Sequence, residues 1–234
     1  MARNWLAVWL SYLVVACSGG QGDQMITRPT EVFSDPGMQR AATLLQHGDY
    51  PAAVDAARRS SGLNSVSQDD ASLLGIAASE NDRGGVRALL AAGANPNISE
   101  KRAPIAVAAE LADPEVVSDL LNAGADPNGR VGSETALWRA AIRNNFTIVE
   151  MLLHRGANID SANASGATPA LAATQAAKYR MAVFLLQKGA SPMAKSKDGI
   201  SIAEWAASGR MHPETEEGRA RQQLYELLRQ AGAM

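Results

Sequence analysis

From about residue 72 onward, apolar and polar positions alternate in blocks too short for long helices and too helical in period for strands. Residues 103 to 128, APIAVAAELADPEVVSDLLNAGADPN, show one complete block. Ala103, Ala106, Ala108 and Ala109 surround Ile105 and Val107, and such small side chains suit a helix interior that another helix approaches closely. Asp113-Pro114-Glu115 then offers an N-cap oxygen, a residue with φ already set for a first turn, and an acid at the positive end of the macrodipole. A second helix is predicted there. Val116, Val117, Leu120 and Leu121 share one face, whereas Ser118, Asp119 and Asn122 point away from it. Gly124 ends the helix, and Ala125-Asp126-Pro127-Asn128 is turn chemistry. Two short antiparallel helices cannot bury their apolar faces alone, so copies are expected beside them.

The copies are present. Ser72-Leu-Leu-Gly-Ile-Ala-Ala78, Thr135-Ala-Leu-Trp-Arg-Ala-Ala141 and Thr168-Pro-Ala-Leu-Ala-Ala-Thr174 each begin a block, and the starts at Ser72, Ala103, Thr135 and Thr168 lie 31 to 33 residues apart. Through the Thr-Pro-x-x-x-Ala element at 168 to 173, and Leu-Leu-x-x-Gly-Ala-Asp/Asn at 89 to 95, 120 to 126 and 152 to 158, the chain resembles the ankyrin-repeat family. The resemblance implies an all-α solenoid of stacked helix pairs with short loop or hairpin tips and degenerate helical caps at both ends. Four repeats are expected at 67–97, 98–128, 129–160 and 161–193. An N-terminal capping pair at 38–66 and a C-terminal capping repeat at 194–234 flank them, the last helix running from Arg219 to Arg229. One departure stands out. Where this family places a histidine that ties its turn to the neighbour, this chain has Gly75, Ala106, Trp138, Leu171 and Glu204, so the array is expected to lean on apolar packing instead.

The amino terminus breaks the pattern. Residues 5 to 16 are almost free of polar atoms and follow Arg3, a run shorter than the roughly 20 residues a spanning helix needs, so residues 1–16 read as a secretory signal. Val14-Val15-Ala16-Cys17 resembles a bacterial lipobox, which implies a lipidated (palmitate-bearing) Cys17. A plain signal-peptidase site, or a chance cysteine, is the alternative. Cys17 is the sole cysteine of the chain, which leaves no partner for an intrachain disulfide. Residues 17–37 have the composition of a flexible tether. A Gram-negative periplasm, on the outer-membrane side, is the expected location.

A formal charge of -2 and the lack of a basic patch give no reason to expect nucleic acid. The three histidines, His47, His154 and His212, match no zinc spacing, although His212 lies near Glu214 and Glu216. Gly199-Ile-Ser-Ile-Ala203 only faintly resembles a nucleophile elbow, and Ser201 falls where a helix cap belongs. No catalytic, metal or cofactor site is expected, and the chain is read as a non-enzyme.

What remains is a surface. The resemblance implies a concave face built from loop tips and inner-helix ends. Carried onto this chain, the candidate partner-binding residues are Ser79, Glu80, Ser99, Glu100, Arg102, Glu110, Leu111, Val131, Glu134, Trp138, Ile142, Arg143, Gln175, Lys197 and Asp198. Leu111, Val131, Trp138 and Ile142 are apolar where water-facing positions are normally polar, and Glu100, Arg102, Glu134 and Arg143 would rim them. Trp138 and Ile142 could equally pack between repeats. Lipid-anchored arrays of this kind resemble immunity proteins that neutralise secreted antibacterial effectors, phospholipases included. The expected protein is then a monomer before partner binding, held to the membrane by its lipid, with an effector enzyme as partner. An envelope scaffold for another periplasmic protein is the other reading.

Overall fold

The computed structural model describes residues 32–111, 113–208 and 214–234. Cys17, the signal segment and His212 lie outside the described residues. Helices α1 (Pro36–Gln46) and α2 (Tyr50–Arg59) form the first pair. The next pairs are α3 (Leu73–Ser79) with α4 (Arg83–Ala91), α5 (Pro104–Leu111) with α6 (Pro114–Asn122), α7 (Ala136–Ile142) with α8 (Phe146–His154), and α9 (Pro169–Gln175) with α10 (Tyr179–Gln187). The last pair is α11 (Ile202–Ser208) with α12 (Glu216–Gln230). Short strands β1 (Arg130–Val131) and β2 (Glu134–Thr135) pair antiparallel between α6 and α7, with Val131 opposite Glu134. No described helix is long and apolar enough to cross a membrane.

Local chemistry sets these boundaries. Ser72, Thr135 and Thr168 cap the inner helices by accepting from the backbone N–H three residues on, at Gly75, Trp138 and Leu171. Ser201 does the same for Glu204, whose carboxylate accepts from Ser201 N–H in return, a capping box that holds this carboxyl below its ordinary range. Asp49, Asp82, Asp113 and Asn145 cap the outer helices α2, α4, α6 and α8. Lys178, before α10, makes no such bond. Inner helices end in left-handed residues at Asn81, Asn144 and Ala177. Asparagine tolerates that region, whereas alanine pays about 1–2 kcal/mol for its Cβ there.

Burial joins the pairs into one stack. Leu73, Ile105, Leu137 and Leu171 on inner helices, and Leu89, Leu120, Leu152 and Leu185 on outer helices, are inaccessible to water. Each contributes roughly 1.5–3 kcal/mol through removal of its side chain from water. Alanines at 77, 78, 106, 108, 109, 140, 141, 170 and 173 separate them and are also buried, so that inner helices of neighbouring repeats lie side by side. Ion pairs cross the outer row: Arg83 bonds Glu115 and Asp119 on α6, Lys188 bonds Glu150 on α8, and Arg180 bonds Glu216 on α12.

The absent histidine does not leave the turns untied. Asn64 Oδ1 accepts from Asn95 N–H, Asn97 Oδ1 from Asp126 N–H, Asn128 Oδ1 from Asn158 N–H, and Asp160 Oδ1 from Ser191 N–H, at 2.7 to 2.9 Å. An Asn/Asp ladder therefore runs along the loops that follow the outer helices, doing for repeat-to-repeat register what the expected array of apolar contacts would do less directionally.

Two boundaries differ from expectation. The tether ends earlier than residue 37: Phe33 is buried, its carbonyl accepts from Gln39 Nε2, and Asp35 caps α1. Asp35-Pro36 carries the same start signal as Asp113-Pro114, hidden by the polar composition around it. At the other end α12 begins at Glu216, before Arg219, because Thr215 accepts from Gly218 N–H and two glutamates occupy the first turn. The first pair is locked onto the second by Tyr50, whose hydroxyl donates to Asp82 at 2.7 Å. Gly84 makes room for that ring, since a Cβ there would sit 2.6 Å from the hydroxyl oxygen.

Candidate protein-binding face

The loops preceding the inner helices are stitched to one another. Asp70 accepts from Ser99 Oγ and Lys101 N–H. Arg102 bridges Val131, with Ala103 N–H donating to Arg130 O and Gly132 N–H to Lys101 O, so β1 is flanked by β2 on one side and by the preceding loop on the other. Arg130 Nη2 donates to Ser161 Oγ, and Lys197 N–H donates to Ser165 O. The loop tips thus form a continuous edge beside the inner-helix ends, and Glu100, Lys197 and Asp198 stand exposed along it.

Not every candidate reaches water. Ser79 is 8% exposed and its hydroxyl donates to Ile76 O, while Ser99 is 3% exposed between Asp70 and Arg102 N–H. Both hold backbone and neither is available to a partner. Both are small enough to fit under the adjacent repeat, which sequence spacing does not reveal. Glu80 accepts from Gln46 Nε2 on α1. Gln175 is exposed at the end of α9.

The centre of the face is ionic as well as apolar. Arg139 on α7 has a side chain 10% exposed and bonds Glu110 on α5 and, at 2.8 Å, Glu134 on β2. Arg143, one turn further, bonds the other oxygen of Glu110 at 3.1 Å and keeps half its side chain in water. Glu110, Glu134 and Arg143 are therefore first of all ties between neighbouring repeats. Sequence reading passed over Arg139. Its signal was an arginine at the place held by Ile76, Val107 and Ala172 in the other repeats.

Leu111, Val131, Trp138 and Ile142 are all half-buried. Val131, Trp138 and Ile142 pack on the core with part of each side chain showing, so they are shared between stack and surface. Trp138 Nε1, Arg139 Nε and Asn144 Oδ1 are buried without a hydrogen-bond partner, three of the four such atoms among the described residues, the fourth being Trp205 Nε1. Unmet polar groups thus gather on α7 and its end. Among the described residues no three His, Cys, Asp or Glu side chains converge as a metal site.

Stacked helix pairs joined by stitched loops define a helical repeat solenoid. Residues 105–196 match the family model for ankyrin repeats in three copies. The chain is 30% identical over 95 residues to the ankyrin repeat and KH domain-containing protein mask-1 of Caenorhabditis elegans, which is 40% of this chain and 4% of that protein. This chain thus spans a small fraction of that relative. Among solved structures it is similar to the ankyrin repeat domain of Bcl-3, described as a unique member of the IkappaB protein family. The identity is 26%, the TM-score 0.67, and 83% of this chain and 86% of that one are covered. Residues 105–196 thus match ankyrin repeats, and the described residues fold as an ankyrin-repeat solenoid, a fold that ordinarily serves as a non-catalytic scaffold for protein–protein contact.

Proposed function

We propose that the chain is a non-catalytic binding module, exported and lipid-anchored through Cys17 in a bacterial periplasm, that captures a secreted antibacterial effector such as a phospholipase and blocks it. The observation that carries the binding part is the α5–α7 face: half-exposed Leu111, Val131, Trp138 and Ile142 bordered by Glu110, Glu134 and Arg143. Aromatic and aliphatic anchors inside a polar border are the usual energetic centre of a protein interface. The anchoring and the effector rest on the lipobox-like Val14-Val15-Ala16-Cys17 and on resemblance.

Leu111→Arg with Ile142→Arg is expected to abolish partner capture while the helical circular-dichroism signal persists; unchanged capture removes this face. Labelled palmitate is expected on the wild-type chain and absent from Cys17→Ala. Cells lacking the protein should be killed by siblings only when the siblings' secretion apparatus is intact. Equal harm to an isolated cell would favour the envelope-scaffold role instead.

A further inference from the structure

Asn128-Gly129 is the one Asn-Gly pair of the chain, and it stands in the inter-repeat ladder. With only hydrogen on its Cα, Gly129 presents an unhindered backbone nitrogen to the neighbouring side-chain amide. Asn64 and Asn97 hold equivalent ladder places but are followed by Ser65 and the β-branched Ile98. The chain cannot shield Asn128 in that way. A Cβ at Gly129 would lie 2.5 Å from Ile105 Cγ2 and 2.8 Å from Ala103 Cβ, both on buried residues of α5 and its approach. Packing therefore demands glycine at 129, and the ladder demands a side-chain acceptor at 128.

We propose that Asn128 is a site of spontaneous covalent modification, deamidating through a cyclic imide formed with Gly129. The Gly129 nitrogen gives its proton to solvent base and attacks Asn128 Cγ; a new C–N bond forms and the side-chain nitrogen leaves as ammonia. Water then opens the five-membered imide. Cleavage of the new Cγ–N bond yields aspartate, and cleavage of the original peptide bond yields isoaspartate, with the main chain rerouted through Cβ and Cγ. The net change is loss of ammonia, gain of water and one added negative charge.

Structure governs both rate and outcome. Gly129 N–H donates to Asp126 O at 2.9 Å, so attack requires that turn to open, and the rate reports the opening. Aspartate at 128 keeps the ladder, since Asp160 already plays the same part toward Ser191 N–H at 2.9 Å. Isoaspartate adds a main-chain atom, displaces the acceptor from Asn158 N–H and frees that junction.

The full chain, held in mildly alkaline buffer and then digested, tests this by mass spectrometry with fragments that separate aspartate from isoaspartate. Exchange of NH2 for OH is expected manyfold faster at Asn128 than at Asn122 or Asn163, and faster again in denaturant. The isoaspartyl fraction should melt below the parent, with Asn128→Asp melting alongside the parent. Exchange at Asn128 no faster than at Asn122 overturns the proposal, as does an Asn128→Asp variant that melts as low as the isoaspartyl fraction.

Discussion

Helices α7 and α9 occupy equivalent places in adjacent repeats and solve the same packing problem differently. In α9 the residues Pro169 to Thr174 are all buried, none is charged, and the single hydroxyl of Thr174 is satisfied by Ala170 O one turn back. In α7 the corresponding space holds Arg139, neutralised by carboxylates from two other elements, beside a tryptophan whose N–H finds no acceptor. A backbone that accepts either solution does not require the ionic one for folding. Buried ion pairs seldom exceed a good apolar fit in stability, so the α7 arrangement is better explained by the surface it creates than by strength.

Substitutions separate the two solutions. Leu171→Ala should cost about 2–5 kcal/mol in chemical denaturation, because α9 has nothing but packing to lose. Glu110→Ala should cost about 2 kcal/mol, less than a fully orphaned buried charge since Glu134 still faces Arg139. Arg139→Met combined with Glu110→Leu, which replaces both sides of the inner pair by apolar groups and leaves only the partly exposed Glu134, should cost less than Glu110→Ala alone. A larger loss for the double replacement than for Glu110→Ala would mean that the ionic junction is a true keystone. Asn97→Ala removes an acceptor for Asp126 N–H and a donor to Gly124 O, and should cost about 1 kcal/mol. Ala177→Gly, at φ 55°, should gain about 0.5 kcal/mol, relief of strain outweighing the freer unfolded chain.

The smallest expected effect is confined to the first helix pair. Asp35 accepts from Ser60 Oγ, Ser61 Oγ and the N–H groups of Gly37 and Met38, and these bonds, Ser60 foremost, lower its pKa from 3.8 to about 2. A depressed carboxylate stabilises the fold above its unfolded pKa and loses that contribution as pH falls through the folded one. Amide protection in α1, taken relative to the intrinsic exchange rate at each pH, should therefore fall between about pH 4 and pH 2 in the parent. In Asp35→Asn that protection should be low throughout and insensitive to pH in that window.

Much of this architecture was legible because it is written in local chemistry that repeats. Leu-Leu-x-x-Gly-Ala marks the ends of α4, α6, α8 and α10, and a Ser or Thr cap marks the starts of α3, α7, α9 and α11. The face was legible only in outline. Ser79 and Gln175 hold the same position at inner-helix ends, yet one is buried and the other exposed, because the neighbouring repeat and side-chain size decide accessibility and neither is carried by a period. Arg139 was missed for the opposite reason. Its partners Glu110 and Glu134 come from another helix and from a strand, so only the folded chain brings the three together.

The contacts at Phe33 and Asp35 have a mechanical side. Any pull applied to the chain ahead of residue 32 would load the start of α1. There the load meets a buried ring, a capping carboxylate and two serine hydroxyls from the end of α2, arranged so that both helices of the first pair share it. Tension would then shear several bonds at once instead of peeling α1 away turn by turn, and the stack behind would stay in register while it is tugged.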